Sequence, residues 1–344
     1  MPRFTPRIRR SAALVVALVA GGALAPAAHA GSGTAATSAP VAKGLYQSAY
    51  SERNHALWTT SAVGRPPVTT SALTRLNPDT LAVEATYTPP VTDTATGAVE
   101  AVYGIAVDDE HNTVWVTNTR NNSVAVYSQR DGRHLATLPD VAHAREIVVD
   151  ERHDTVWASG FGDGSLVAFD SRTYKEKKRV TVDGAGPTGL AVNERTGTVY
   201  AADLTNDQLI EVTRRSTTPR LIPTGDGPIS VALSANGRTA YTADNTAGAV
   251  DVIDLGKGLV TKSVPTGAGP LSVATDTRSG KVVAVNRTDA TATVVDPRKG
   301  TVVKTVPTGT NPNHVEIAHG TAFVVDKSAS SPTGEDTLTR FRVK

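Results

Sequence analysis

Glu146 and His314 are the two ionisable side chains in a series of seven positions that otherwise holds Gln47, Gly104, Gly189, Ser230 and Ser272. Each position stands directly before a short apolar alternation that recurs along the chain. Such positions are crowded, so a charge there needs a reason, which makes Glu146 and His314 the candidate catalytic residues, against the plainer reading that they are solvated side chains of a channel. Arg145 and His143 adjoin Glu146. A second series reads Ser61, Asn118, Gly160, Asp203, Asp244, Asn286 and Asp326. Its three Asp and two Asn supply hard oxygen donors of the kind Ca²⁺ takes. The competing use of Asp and Asn is to cap turns through their own backbone, and recurrence of the position from copy to copy fits that use.

The alternation that anchors both series appears as Ile105-Ala106-Val107-Asp108, Ile147-Val148-Val149-Asp150 and Leu190-Ala191-Val192-Asn193. It returns at Val231-Ala232-Leu233-Ser234, Val273-Ala274-Thr275-Asp276 and Val315-Glu316-Ile317-Ala318, with spacings of 42, 43, 41, 42 and 42 residues. A period in the low forties carrying several short strands marks a β-propeller blade. Each copy continues with a polar hairpin, a β-branched and aromatic strand such as Val199-Tyr200-Ala201-Ala202, and two more alternating strands. One copy alone exposes an apolar face, so copies must stack, and closing the stack into a ring removes its raw ends.

The spacing predicts an all-β chain: a seven-bladed β-propeller of four-stranded antiparallel blades starting near residues 45, 103, 145, 188, 229, 271 and 313. The last copy has three strands and then the chain stops. The segment from Thr34 to Pro40 lies eight residues ahead of an inner strand, where a fourth strand ends, so it is expected to close the ring. The first copy is the least regular, with insertions at 63–71 and 90–100. The Gly-Pro segments ending at Pro187, Pro228 and Pro270 precede strands and lack the Lys-Ser/Thr of a phosphate loop, so they read as crossovers between blades. The charge run 174–179 reads as an outer edge strand, where charge discourages edge pairing. His314 and His319 sit about 16 Å apart along an extended strand, too far for one metal.

Residues 1–30 carry four Arg, an apolar run at 12–25 and Ala28-His29-Ala30, the pattern of a secretory signal cleaved near Ala30. The run is short for a membrane span. Four of the 35 basic residues and none of the 33 acidic ones lie in that leader, so its removal moves the net charge from +2 to −2. A near-neutral domain over 31–344 does not have the field of a nucleic-acid binder. The absence of Cys excludes disulfides, a lipobox anchor and c-type haem attachment. No nucleophile elbow, H-E-x-x-H or Walker loop is present.

Trp115-Val116-Thr117-Asn118 resembles the tetrapeptide that names the YVTN family of β-propeller repeat proteins, with Trp in place of Tyr. Val252-Ile253-Asp254 and Val294-Val295-Asp296-Pro297, followed by a fourth strand and a Gly-x-x-Pro turn, fit the same repeat. Other copies depart from it, as at Trp157-Ala158-Ser159-Gly160. The resemblance implies a secreted or surface ring with lactonase-like and haem-binding propellers as fold relatives, and fold does not carry function. The leading expectation is a secreted, non-enzymatic, monomeric binding propeller. It would take an extracellular protein, glycan or small molecule on the crossover face through Asn118, Arg145, Glu146, Asp203, Asp244, Asn286, Asp326 and His314. The alternative is a lactonase-like or lyase-like enzyme with a divalent cation such as Ca²⁺ at the central channel; Glu146, Asn118, Asp203 and Asn286 are the candidate metal residues, a set that resembles the metal site of gluconolactonase-like propellers, in which the metal polarises a lactone carbonyl. A weaker third is a redox propeller holding a haem or quinone.

Overall fold

The computed structural model describes residues 36–329, 331 and 333–344. The secretory leader expected at 1–30 lies outside the described residues. Seven four-stranded antiparallel sheets follow one another along the chain, spanning residues 45–87, 102–138, 144–181, 187–223, 228–265, 270–307 and 312–342. These are blades 1 to 7, and the first strand of each lines a central channel. Blade 7 takes its outermost strand from the other end of the chain: Thr37–Ala42 pairs antiparallel with Asp336–Arg342, register Thr37 to Arg340. The ring therefore closes as the sequence predicts. Closure starts three residues later than Thr34, and Ala42 is included in the strand.

Seven apolar clusters hold the ring, one between each neighbouring pair of blades. Trp115 and Val126 of blade 2 pack on Ile147 and Phe169 of blade 3. The last cluster joins Leu45, Leu57 and Leu76 of blade 1 to Phe323, Val325 and Leu338 of blade 7. The second and third strands of blades 2 and 3 are almost wholly buried on both faces, which is why they read as near-continuous apolar runs. The expected crossovers and the charged outer strand Glu176–Thr181 fall where the sequence puts them. The second insertion of blade 1 adds a small hairpin, Val91–Asp93 with Ala98–Val99.

Every inner strand carries a register shift near its start, such as that between Val102 and Ile105 or between Ala144 and Ile147. Gln47, Gly104, Glu146 and Gly189 sit within these shifts, and Ser230, Ser272 and His314 sit at their paired ends. A bulge frees backbone groups from the ladder and re-aims side chains. The freed N–H groups of Gly104 and Glu146 donate to Thr117 Oγ1 (2.7 Å) and Ser159 Oγ (2.9 Å) of the neighbouring strand. Those hydroxyls donate onward to the next blade, to the carbonyls of Arg145 (3.0 Å) and Thr188 (2.8 Å). The Thr of Trp115-Val116-Thr117-Asn118 thus links one blade to the next around the channel.

Candidate functional site

The channel narrows at the crossover face to a void of about 20 Å³ and widens beyond it into a lumen of about 450 Å³. Gln47, Arg145, Glu146 and His314 line the constriction, so the structure brings the two candidate ionisable residues and Arg145 to one place. Gln47 donates Nε2–H to Glu146 Oε2 at 2.8 Å, and its Oε1 accepts from the Ile105 N–H at 3.2 Å. Enclosure by the ring pushes the Glu146 carboxyl up to about 7, partly offset by the bond from Gln47. The same desolvation lowers His314 to about 4, so its ring is neutral at physiological pH. The Ser48 N–H donates to His314 Nδ1 at 3.3 Å, which places the imidazole proton on Nε2. His319 lies away from this site, paired with Glu52 at 2.8 Å.

A further channel carboxyl escaped the sequence reading. Glu316, two residues beyond His314 on the same strand, faces the lumen, and burial raises it to about 8. Its signal was present: the other copies have Ala or Val at that place in the alternation.

Around the constriction the crossover face is cationic and aromatic. Arg120, His143 and Arg145 share a pocket of about 90 Å³ with Tyr46, Tyr103 and the apolar Val68. The Tyr46 and Tyr103 rings lie 4.3 Å apart between centroids. Lys327 Nζ sits 3.8 Å above the Tyr46 ring and donates to the Leu45 carbonyl at 2.6 Å. Arg287 reaches the rim and donates to Asn313 Oδ1 at 2.9 Å. Burial lowers His143, with Arg145 and Arg120 adding to the effect, and burial lowers Lys327 to about 8. Among the described residues none of Arg120, Arg145, Arg287 and Lys327 forms an ion pair. Arg120 stands past a strand end in one copy, while Tyr46 and Tyr103 share one repeat position, directly before Gln47 and Gly104, and Arg287 and Lys327 share another, directly after Asn286 and Asp326.

The structure does not bring Asn118, Asp203, Asn286 and Asp326 to the channel. Each is fully buried in its own blade. Asn118 Nδ2 donates to Glu100 Oε2 at 3.0 Å and Ser123 Oγ at 3.1 Å. Asp203 accepts from Gly186 N–H (2.8 Å), Thr205 N–H, Asn206 and Gln208. Asn286 Nδ2 donates to the Thr266 carbonyl and to Thr291 and Thr293. Asp326 accepts from Thr339 at 2.6 Å, and burial raises it to about 6. The recurring task is to clasp the incoming crossover to its blade. Capping of the residue's own turn, the competing expectation, holds for Asp203 alone, through Thr205. The donor set Glu146, Asn118, Asp203 and Asn286 cannot surround one ion, because its members lie in four sites. A tighter cluster, Glu110, His111 and Asp154, lies outside the channel, where Arg172 Nε already bonds Asp154 (3.0 Å) and His111 (3.2 Å).

The fold has a solved counterpart. A selenomethionine-substituted virginiamycin B lyase from Staphylococcus aureus superposes with a TM-score of 0.71 over 89% of this chain and 99% of that one, at 12% identity. The likeness establishes the seven-bladed ring. No family model matches the chain, and no curated protein matches it. Among the described residues no helix is long and apolar enough to cross a membrane.

Proposed function

We propose that this is a secreted binding propeller of the YVTN repeat type, whose ligand is a small anionic molecule bearing a ring. The observation that supports this most is the mouth of the channel. Arg120, Arg145, Arg287 and Lys327 gather there without a carboxylate partner, beside the Tyr46–Tyr103 pair. Unpaired guanidinium groups attract carboxylate and phosphate, and the stacked rings offer an apolar face to a planar group. The pocket is pre-formed and small, as binding sites for such molecules are.

The test is calorimetric titration with phenyl phosphate and benzoate, with benzyl alcohol as the uncharged comparison. The anions bind, more weakly as salt rises, and Arg145→Ala with Arg120→Ala abolishes the heat. Equal or absent binding of all three probes defeats the reading.

One observation favours an enzymatic second reading of the lyase-like or lactonase-like kind. Glu146 titrates near neutrality beside a neutral His314 whose Nε2–H is available to a bound group. Turnover of a lactone panel that Glu146→Gln eliminates, while anion binding persists, establishes it.

A further inference from the structure

We propose that Asp244, Asp251 and Thr242 form a buried site for a hard divalent cation such as Ca²⁺ inside blade 5. The argument starts from a break in the repeat. In the other blades the residue two places before the clasp faces Thr or an apolar residue on the third strand: Ala284 faces Thr293, Val324 faces Thr339 and Ala201 faces Ile210. In blade 5 Thr242 faces Asp251 instead. The clasp residue there is itself an acid, Asp244, so two carboxyls share a pocket that elsewhere holds one or none.

Both side chains are sealed in, with Asp244 at 0% and Asp251 at 2% exposure. Asp251 Oδ2 accepts the Gly225 N–H at 2.9 Å. Asp251 Oδ1 and both Asp244 oxygens have no hydrogen-bond partner in the protein. The Thr242 hydroxyl, also 0% exposed, is equally unpartnered and lies on the same face, near enough to ease the charge on Asp244. The charges acting most on Asp244 are Asp251 and then Asp207, both negative, and no Lys or Arg offsets them. Blade 6 shows what a satisfied clasp looks like. There Asn286 and Thr293 both donate to the Thr266 carbonyl. Thr224 holds the corresponding place in blade 5, 42 residues earlier, and faces residues with no proton to give.

Three carboxylate oxygens and a hydroxyl, gathered in one buried place, are hard oxygen donors of the kind that ligate such a cation. Three free carboxylate oxygens and one hydroxyl supply four ligands, and water beneath the half-exposed crossover at 224–226 can complete the six to eight that Ca²⁺ takes.

The test uses the full chain, stripped with chelator, desalted and titrated with CaCl₂ by calorimetry and thermal melting. The control is the double variant Asp244→Asn, Asp251→Thr, which rebuilds the blade 6 clasp and therefore folds. The expected result is one equivalent of Ca²⁺ for the wild type with a melting temperature raised by a few degrees, and loss of both in the double variant. Binding retained by the double variant overturns the site. So does a wild type that ignores Ca²⁺ and instead loses stability as pH rises through 8, since the pair then shares a proton.

Discussion

Gln47 reaches past an entire blade to donate its side-chain amide to Glu146 at 2.8 Å. Gln47 belongs to blade 1 and Glu146 to blade 3. Between them blade 2 presents Gly104, and a Cβ there would stand 3.4 Å from Gln47 Oε1. The two bonds of that amide, to Glu146 and from the Ile105 N–H, therefore tie three inner strands across the narrowest part of the channel and hold the carboxyl that the ring has desolvated.

That carboxyl makes stability depend on pH with a defined sign. Its folded value of about 7 lies above the ordinary 4.5, so its contribution is full below pH 4.5 and is lost as pH rises through 7. Glu146→Gln is expected to remove that decline, a relative gain on the order of 1–2 kcal/mol at pH 8 once solvent in the lumen is allowed for. Gln47→Ala deletes a bond to the ionised form and moves the midpoint above 7. Melting curves of wild type and both variants from pH 4 to 9 check this. Curves that fall in parallel would remove Glu146 from the account.

Gly104→Ala is expected to destabilise by about 1–3 kcal/mol, as overpacking does. The new Cβ would come within 2.5 Å of the Arg145 carbonyl and 2.8 Å of Thr117 Oγ1, the two groups that link blade 2 to blade 3. Denaturant unfolding measures it, and an unchanged midpoint would mean that the link yields without cost.

On the proposed function, Lys327 is expected to set the pH range of anion capture at the mouth. Burial lowers it to about 8, so its charge fades between pH 7 and 9 while Arg120 and Arg145 stay charged. Affinity for phenyl phosphate is expected to fall several-fold across that range, and Lys327→Met is expected to flatten the profile. A profile that keeps its slope in the variant assigns the titration to another group.

The ring and its period were legible in the sequence because each inner strand repeats one alternation every 41 to 43 residues. Glu146 and His314 were legible for the same reason, since their positions are counted from that alternation. The clasps were not. Asn118, Asp203 and Asn286 align as well as the channel residues do, but what each faces is a crossover some 17 to 20 residues earlier, whose path no strand period records. Arg287 and Lys327 each follow a clasp residue directly, a position countable from the repeat, but the other copies hold no cation there, so only the closed ring reveals that they converge with Arg120.

Ring closure gives the last prediction. The strand Thr37–Ala42 is the single segment from the N-terminal side that completes blade 7, where Ser38 Oγ meets Thr339 Oγ1 at 2.7 Å. It is only half-buried and carries few β-formers, so its contribution is ladder bonding more than apolar burial. Deleting 37–42 exposes the backbone edge of Asp336–Arg342, the strand that also supplies Phe341 and Leu338 to the clusters on either side of blade 7. At roughly 1 kcal/mol net for each ladder bond, the loss is on the order of 3–5 kcal/mol. The open edge is also a template for pairing with a second chain. The truncated protein is therefore expected to melt earlier and to elute partly as dimer, and adding the 36–44 peptide in excess restores the monomer. A truncated chain that melts with the full-length protein would show that the seven apolar clusters close the ring unaided.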